Sequence, residues 1–491
     1  MTAVVAAGHP LTAEAGAAVL RDGGNAVDAA VAAMLMSWVA EPLLTGPGAG
    51  GYMLVAGFAD RPVLLDFFVA APGAGAAAGA ERGDLVAIDV SFGDAVQVFH
   101  VGAAACGAYG TPAGIVESAR RWGTMPLDRL AAPAARHARE GVPLSAQQAY
   151  VFEILASILT LTPEAAAIFT RDGRALAAGE PFRSPELADT IERLGRDGAE
   201  PFYDGDIAAA VVSHLAGQGG ALTAEDLRSY EAVAREPVRV GYRGRDVITN
   251  PPPSAGGVLI ALALAQLDRA PGPPAVEELV AVMEATQAAR TEEFVDGLAE
   301  PGYGERFLAE RLGSTTHISV VDGDGLACSV TCTNGEGCGV VVPGTGIHVN
   351  NIMGEEDLSP QGFHTAPPGR RMPSMMAPTA VLRDGELELV VGSAGSNRIR
   401  SAILQTIVGV VDHGLGAAEA IEAPRVHFEA GLVYAEPGVP LGELADSGRE
   451  IAPFRDLNLF FGGVQAVRRD PLTGELTGAG DPRRGGAAVA A

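Results

Sequence analysis

The chain has 491 residues, 48% apolar and 5% aromatic, enough for two or three ordinary domains or one large fold cored by Ala, Val and Leu. Its 34 basic residues against 60 acidic ones leave a formal charge of −26, which repels nucleic acid and anionic membranes and excludes both as partners. The opening MTAVVAAGHPLTAEAG has no basic leader, and the apolar run AAVAAMLMSWVA is too short to span a bilayer, so a cytoplasmic protein is the expectation.

In chain order, apolar spacing from about Thr12 predicts a helix that stops at Gly23-Gly24, and Asn25 caps a second helix of small residues. The loop GPGAGG (Gly46 to Gly51) then opens into a strand. It has neither the Lys-Ser/Thr pair nor the following helix that a phosphate cradle needs, so it reads as a tight turn. From about Thr111 to Arg290 the pattern is mainly helical, with PLDRLAAPAARHAREG, SPELADTIERLGRDG and DIAAAVVSHLAGQG each ending in Gly. Thr223 opens a further helix with Glu225 and Asp226 in its first turn. VRVGYRGRDVIT alternates like one strand, and PPPSAGG leads rigidly into the helix VLIALALAQL.

The charged stretch from Thr291 to Ser314 reads as an exposed connection. Beyond it, HISVVDGDGLACSVTCT predicts a hairpin over Asp322-Gly323-Asp324-Gly325, and TAVLRDGELELVVGSAG predicts another at Asp384-Gly385, with a helix after Ser396. The whole predicts one α+β body of helices layered on sheets. Cys328, Cys332 and Cys338 match no zinc spacing, and His317 and His348 lack ligand spacing. These cysteines, with Cys106, are expected to be reduced structural thiols, with no metal and no cofactor.

Chemistry enters at GSTTHISV, where Thr315 separates the charged connection from an apolar strand. A threonine hydroxyl needs a base within reach, and no ordered His-Asp pair is evident. An N-terminal threonine meets that need with its own α-amine, which titrates near neutrality, but only after cleavage between Ser314 and Thr315. These residues alone leave a plain strand start as the alternative.

Five blocks in one order resemble the γ-glutamyltranspeptidase family of N-terminal-nucleophile hydrolases: GHPLTAEAGAAVLRDGGNAVDAAVAA, LTAEDLRSYEAVAREPV with PPPSAGG, STTHISVVDGDGLACSVTCTNGEGCGVVVPGTGIHVNN, RMPSMMAPT with GSAGSNRI, and the closing LNLFFGGVQAVRRDPLTGELTGAGDPRRGG. The resemblance implies an αββα four-layer sandwich made as a precursor that cuts itself. The products would be a large chain, 1–314, and a small chain, 315–491, with association of such pairs into a dimer left open. It implies Thr315 as nucleophile, Thr333 as its hydrogen-bond partner, and the backbone N–H groups of Gly395 and Ser396 as the oxyanion site. For a small-molecule acyl substrate it implies contacts from Asn334, from Ser374, and from Asp357, with Glu355 or Glu356 as alternatives to Asp357.

Three positions depart from the family pattern. The segment that carries a carboxylate-clamping Arg in the family reads Asp66-Phe67-Phe68-Val69-Ala70-Ala71-Pro72, with Phe68 at the Arg position. Met375 replaces the second serine of a Ser-Ser pair, and Ile352 replaces a Gln. An Arg fork holds a carboxylate bidentately, which Phe68 cannot do. The expectation is therefore a hydrolase or acyltransferase for a donor other than a standard γ-glutamyl group, as in cephalosporin acylases and secondary-metabolism relatives, some of which cleave C–C bonds. Two alternatives stand beside it: a true γ-glutamyl enzyme using Arg370, Arg371 or Arg398, and an unprocessed binding protein.

Overall fold

A computed structural model describes residues 2–57, 61–76, 82–91, 96–288, 316–359 and 362–491; Ser314, Thr315 and the connection expected before them lie outside the described residues. Two antiparallel sheets form the centre. The first has the strand order Val233–Arg235, Val63–Phe67, Gly50–Ala56, Ala327–Thr333, Thr316–Val321, Val4–Ala7 and Ala487–Ala490. The second runs Val238–Tyr242, Arg245–Thr249, Thr379–Arg383, Glu386–Ala394, Gly463–Arg469 and Leu476–Gly480.

Strand periodicity divides the side chains into two faces. On the first sheet, Val5, Ala7, Met53, Val55, Ile318 and Val320 pack on the side of the helices Pro10–Arg21 and Ala26–Ala40. Their alternates Val4, Ala6, Tyr52, Leu54 and Val321 join Ile248, Ala380, Val390 and Val467 of the second sheet in a shared core. On the far face of the second sheet, Val391 and Ala466 pack with the helices Ala255–Leu267 and Arg398–Val411. The helix Ala26–Ala40 is buried along its whole length, which its apolar, mostly small side chains permit.

The expected caps and turns occur, with two shifts. Asn25 forms a capping box with Asp28, and Thr223 forms one with Asp226. Asp322 in the DGDG turn accepts the Ala26 N–H at 3.0 Å, so the hairpin also ties down the start of that helix. The first helix begins at Pro10, earlier than Thr12, because the His9 Nδ1 accepts the Leu11 N–H at 3.1 Å. VRVGYRGRDVIT is two strands rather than one. Arg243 and Gly244 both take positive φ, 49° and 73°, and the Arg243 side chain is held by Asp412 at 2.8 Å.

A polar seam crosses the inter-sheet core. The ring of the fully buried His317 lies against Gly392, where a Cβ would stand 2.2 Å from its Cε1. Its Nδ1 is 2.8 Å from the Thr331 hydroxyl and its Nε2 is 2.9 Å from the Ser319 hydroxyl. Ser319 donates its own proton to the Gln465 carbonyl at 3.1 Å. Nε2 is therefore the nitrogen carrying the proton, and Nδ1 accepts from Thr331.

Burial pushes the His317 pKa down to about 3 and that of His348 to about 4. The folded chain thus binds fewer protons than the unfolded chain below the ordinary histidine pKa of about 6.5, and stability is lost as pH falls from there. Thermal unfolding across pH 7 to 4 is expected to show a falling Tm. In His317→Gln the fall is expected to be shallower than in wild type; an equal slope would assign the acid sensitivity to other groups.

Candidate active site

Thr333 ends the strand Ala327–Thr333 and pairs with Gly50, while Thr316 on the neighbouring strand pairs with Cys332. Glycine is required beside Thr333, because a Cβ on Gly50 would lie 2.7 Å from the Val69 nitrogen. The Thr333 hydroxyl accepts the Gly335 N–H at 2.8 Å, which leaves its own proton available to a neighbour. Asn334 follows in the buried loop. Its Nδ2 donates to the His348 carbonyl at 3.1 Å, and its Oδ1 has no partner among the described residues. Asn351 braces the loop, accepting the Glu336 N–H at 3.0 Å and donating its own N–H to the Asn334 carbonyl at 3.2 Å.

Gly395 and Ser396 make the turn between the strand Glu386–Ala394 and the helix Arg398–Val411, both with positive φ, 122° and 55°. Among the described residues neither N–H meets an acceptor, so both remain available to an anionic oxygen beside a helix N-terminus. Arg484 lies close by: a Cβ on Gly395 would stand 3.1 Å from its Nη2. Burial lowers the Arg484 pKa to about 10, with Arg398 adding to the effect, while Asp481, Glu336 and Glu41 oppose it.

Glu41, at the end of the helix Ala26–Ala40, is a buried carboxyl that the sequence reading did not single out. Its oxygens lie 3.4 Å from the hydroxyls of Thr12 and Thr316, and burial raises its pKa to about 7. The available signal was a lone acid directly after an uncharged, buried-looking run. Through Arg484, then, the start of the strand Thr316–Val321 and the Gly395 turn belong to one electrostatic neighbourhood.

Phe68 is fully buried and stacks on Tyr52, ring centroids 5.6 Å apart, in the inter-sheet cluster that also holds Ile352, Met353 and Met376. Its backbone is clamped: its N–H donates to Asp66 at 2.9 Å, and its carbonyl accepts from Tyr230 at 2.7 Å and Arg371 at 2.5 Å. Arg371 also lies 3.4 Å from Asp66 and 4.5 Å over the Tyr230 ring, so this cation is committed to the scaffold. Asp226, in the mid-chain signature, accepts the N–H groups of Gly73 and Ala74, which fixes the segment after Pro72.

Ser374 is buried; its Oγ accepts the Met376 N–H at 3.0 Å, and its carbonyl accepts the Ala255 N–H at 2.8 Å. Met375 points into the helix-side core of the second sheet, apart from the cluster of Phe68 and Ile352. Phe68, Ile352 and Met375, the three positions expected to depart from the family pattern, therefore do not share one wall. The backbone of Asp357 lies in the short turn Glu356–Leu358; its side chain, like Ser314 and Thr315, lies outside what the structure describes. The four cysteines are buried free thiols whose pKa values burial pushes up.

A family model described as gamma-glutamyltranspeptidase matches residues 12–301 and 284–491. The chain belongs to that family. It is similar to the glutathione hydrolase proenzyme of Bacillus subtilis (strain 168), with 30% identity over 99% of this chain and 91% of the relative. It is equally similar to the acylase ACY 1 proenzyme of Pseudomonas sp. (strain V22), with 31% identity over 99% and 93%. The crystal structure of cephalosporin acylase from Bacillus halodurans superposes with a TM-score of 0.83 at 27% identity, covering 99% of this chain and 95% of that one. Gamma-glutamyltranspeptidase family membership and these relatives make the chain an enzyme of the hydrolase and acyl-transfer class with a mixed α+β fold. Among the described residues no helix is long and apolar enough to cross a membrane.

The turn gives a direct test. Gly395→Ala places a Cβ 2.7 Å from the Gly462 Cα at a φ that side chains rarely adopt, and is expected to reduce stability and turnover together. Ser396→Gly relaxes a left-handed residue and keeps the N–H. It is expected to raise stability by about 1 kcal/mol with turnover preserved, read by thermal unfolding and steady-state assay. A large loss of turnover in Ser396→Gly would mean that the hydroxyl, not the backbone, is used.

Proposed function

We propose that the chain is a self-cleaving precursor whose mature form is an N-terminal-threonine hydrolase or acyltransferase acting on a small-molecule acyl donor. The observation that carries the reading is strand register. Thr316, which follows Thr315 in the chain, pairs with Cys332, the residue before Thr333. The Thr333 hydroxyl would then support the nucleophile, and the Gly395 and Ser396 N–H groups would receive the oxyanion. Two facing sheets flanked by helix pairs support the αββα four-layer form of this reading.

In self-cleavage the Thr315 Oγ attacks the Ser314 carbonyl carbon, the C–N bond breaks, and the hydroxyl proton passes to the departing nitrogen. Water then hydrolyses the resulting ester, giving the Ser314 carboxylate and restoring the Thr315 hydroxyl beside a free α-amine. The mature chains are 1–314 and 315–491. In turnover that amine takes the Oγ proton as the oxygen attacks the donor carbonyl, then returns it to the leaving group. Water or an acceptor amine releases the acyl group from Thr315.

The donor side departs from a glutamate grip. Phe68 contributes an apolar ring where the family resemblance expects a cation, and Arg371 is held by Asp66, Tyr230 and the Phe68 carbonyl. We therefore expect a donor that needs no cation at position 68 to hold an α-carboxylate. The four free thiols fit a reducing, cytoplasmic setting.

Intact mass spectrometry of the wild type is expected to give two chains that break before Thr315, whereas Thr315→Ala stays at 50.0 kDa. A wild type that never splits overturns the proposal. With processed enzyme, Thr315-dependent release of p-nitroaniline is expected from apolar acyl anilides in preference to γ-glutamyl-p-nitroanilide. Robust turnover of the γ-glutamyl substrate would instead identify a γ-glutamyl enzyme, the reading favoured by the similarity to the Bacillus subtilis relative.

A further inference from the structure

We propose that Glu41 is a positioning residue for self-cleavage, acting through the Thr316 hydroxyl to hold the start of the strand Thr316–Val321. The inference deepens the precursor reading and rests on it. Glu41 is only 1% exposed, and its carboxyl sits where the end of one helix, the start of another and the leading residue of a central strand converge. Both its oxygens lie 3.4 Å from the Thr316 Oγ1, and one lies 3.4 Å from the Thr12 Oγ1. These are long for O–H···O bonds, so the carboxyl spans the two hydroxyls rather than closing on either.

The space for it is built by the chain. A Cβ on Gly8 would stand 2.2 Å from the Glu41 Oε1 and 3.3 Å from the Thr316 Oγ1, so the backbone must run bare past this carboxyl. A buried acid of this kind is not needed for packing, since an apolar residue would fill the volume without desolvating a charge. What it supplies is an acceptor on the residue next to Thr315.

The groups that face the carboxyl define how it titrates. Thr12 comes from the helix Pro10–Arg21, Thr316 from the strand, and Gly8 presents backbone alone. The charged neighbour is Arg484, itself influenced by Arg398, Asp481 and Glu336. Burial raises the Glu41 pKa to about 7, while the two hydroxyls and Arg484 favour the carboxylate. Below that pH the carboxyl is protonated and its grip on the hydroxyls loosens; above it, the carboxylate accepts from both Thr12 and Thr316. The precursor has no α-amine at Thr315, so a titration near pH 7 in the cleavage step cannot come from that amine.

The test uses full-length chain made by cell-free synthesis, with aliquots moved to buffers from pH 5.5 to 8.5 and splitting followed by intact mass. Wild type is expected to split faster as pH rises through about 7. Glu41→Gln is expected to slow splitting at pH 8 at least about tenfold and to flatten the pH dependence, with Thr316→Val slowed similarly and Thr316→Ser restored. Thermal unfolding of each variant separates misfolding from slow cleavage. If Glu41→Gln fails to fold, the comparison of Thr316→Val with Thr316→Ser keeps the test open, and equal splitting in the two would overturn the role. Glu41→Gln splitting at the wild-type rate with the wild-type pH profile would overturn the role of Glu41 while leaving the precursor reading intact. A wild type that never splits would remove both.

Discussion

The close approach of the two sheets at Gly392 sets the geometry on which the candidate site depends. The His317 ring fills the space that a side chain at Gly392 would take, and its two nitrogens are satisfied by Thr331 and Ser319. An apolar ring would pack there too, but it would leave the hydroxyls of Ser319, Ser329 and Thr331 facing a dry core without the imidazole they meet. The seam thereby fixes how the strand Thr316–Val321 lies against the strand Glu386–Ala394. The first of these strands begins at Thr316 and the second runs into the Gly395 turn.

The C-terminal segment locks this arrangement from outside. Asp481 and Arg483 form a buried ionic group with Arg425 and Glu436, at 2.7 Å for Arg425 to Asp481 and 2.5 Å for Arg483 to Glu436. Asp481 also accepts the Val464 N–H at 3.0 Å, which ties the group to a central strand of the second sheet. Buried ion pairs are weak evidence for stability, because desolvation offsets much of the attraction, but removing one partner leaves an uncompensated charge. Their consequence here is positional. They hold Arg484, the next residue, beside Gly395.

Much of the local structure was legible in the residues. DGDG and the Asp384-Gly385 pair carry the turn chemistry that hairpins require, and Asn25 and Thr223 carry the capping groups that helix starts require. Thr333, Asn334, Gly395 and Ser396 could be singled out because they fall in motifs whose order resembles a known family. The hairpin at Arg243-Gly244 was not legible, since Arg is an unusual residue at positive φ and its stabilising partner Asp412 is 169 residues away. Glu41 was missed for a related reason. A single acid has no periodicity, and its meaning comes from Thr12, Thr316 and Arg484, which lie in three other parts of the chain.

The sequence by itself determined most of the elements, their caps and turns, and the family, and it singled out Thr315 as the proposed nucleophile, because each of these is written in short-range pattern or ordered motif. The tertiary structure alone decided that Phe68 and Ile352 share an apolar cluster while Met375 packs on the other side of the second sheet. It alone committed Arg371 to Asp66 and Tyr230, and brought Glu41 under Thr316. The physical reason is that a side chain's surroundings depend on which face of a strand meets which layer, and on charges paired across hundreds of residues. No local pattern encodes those pairings.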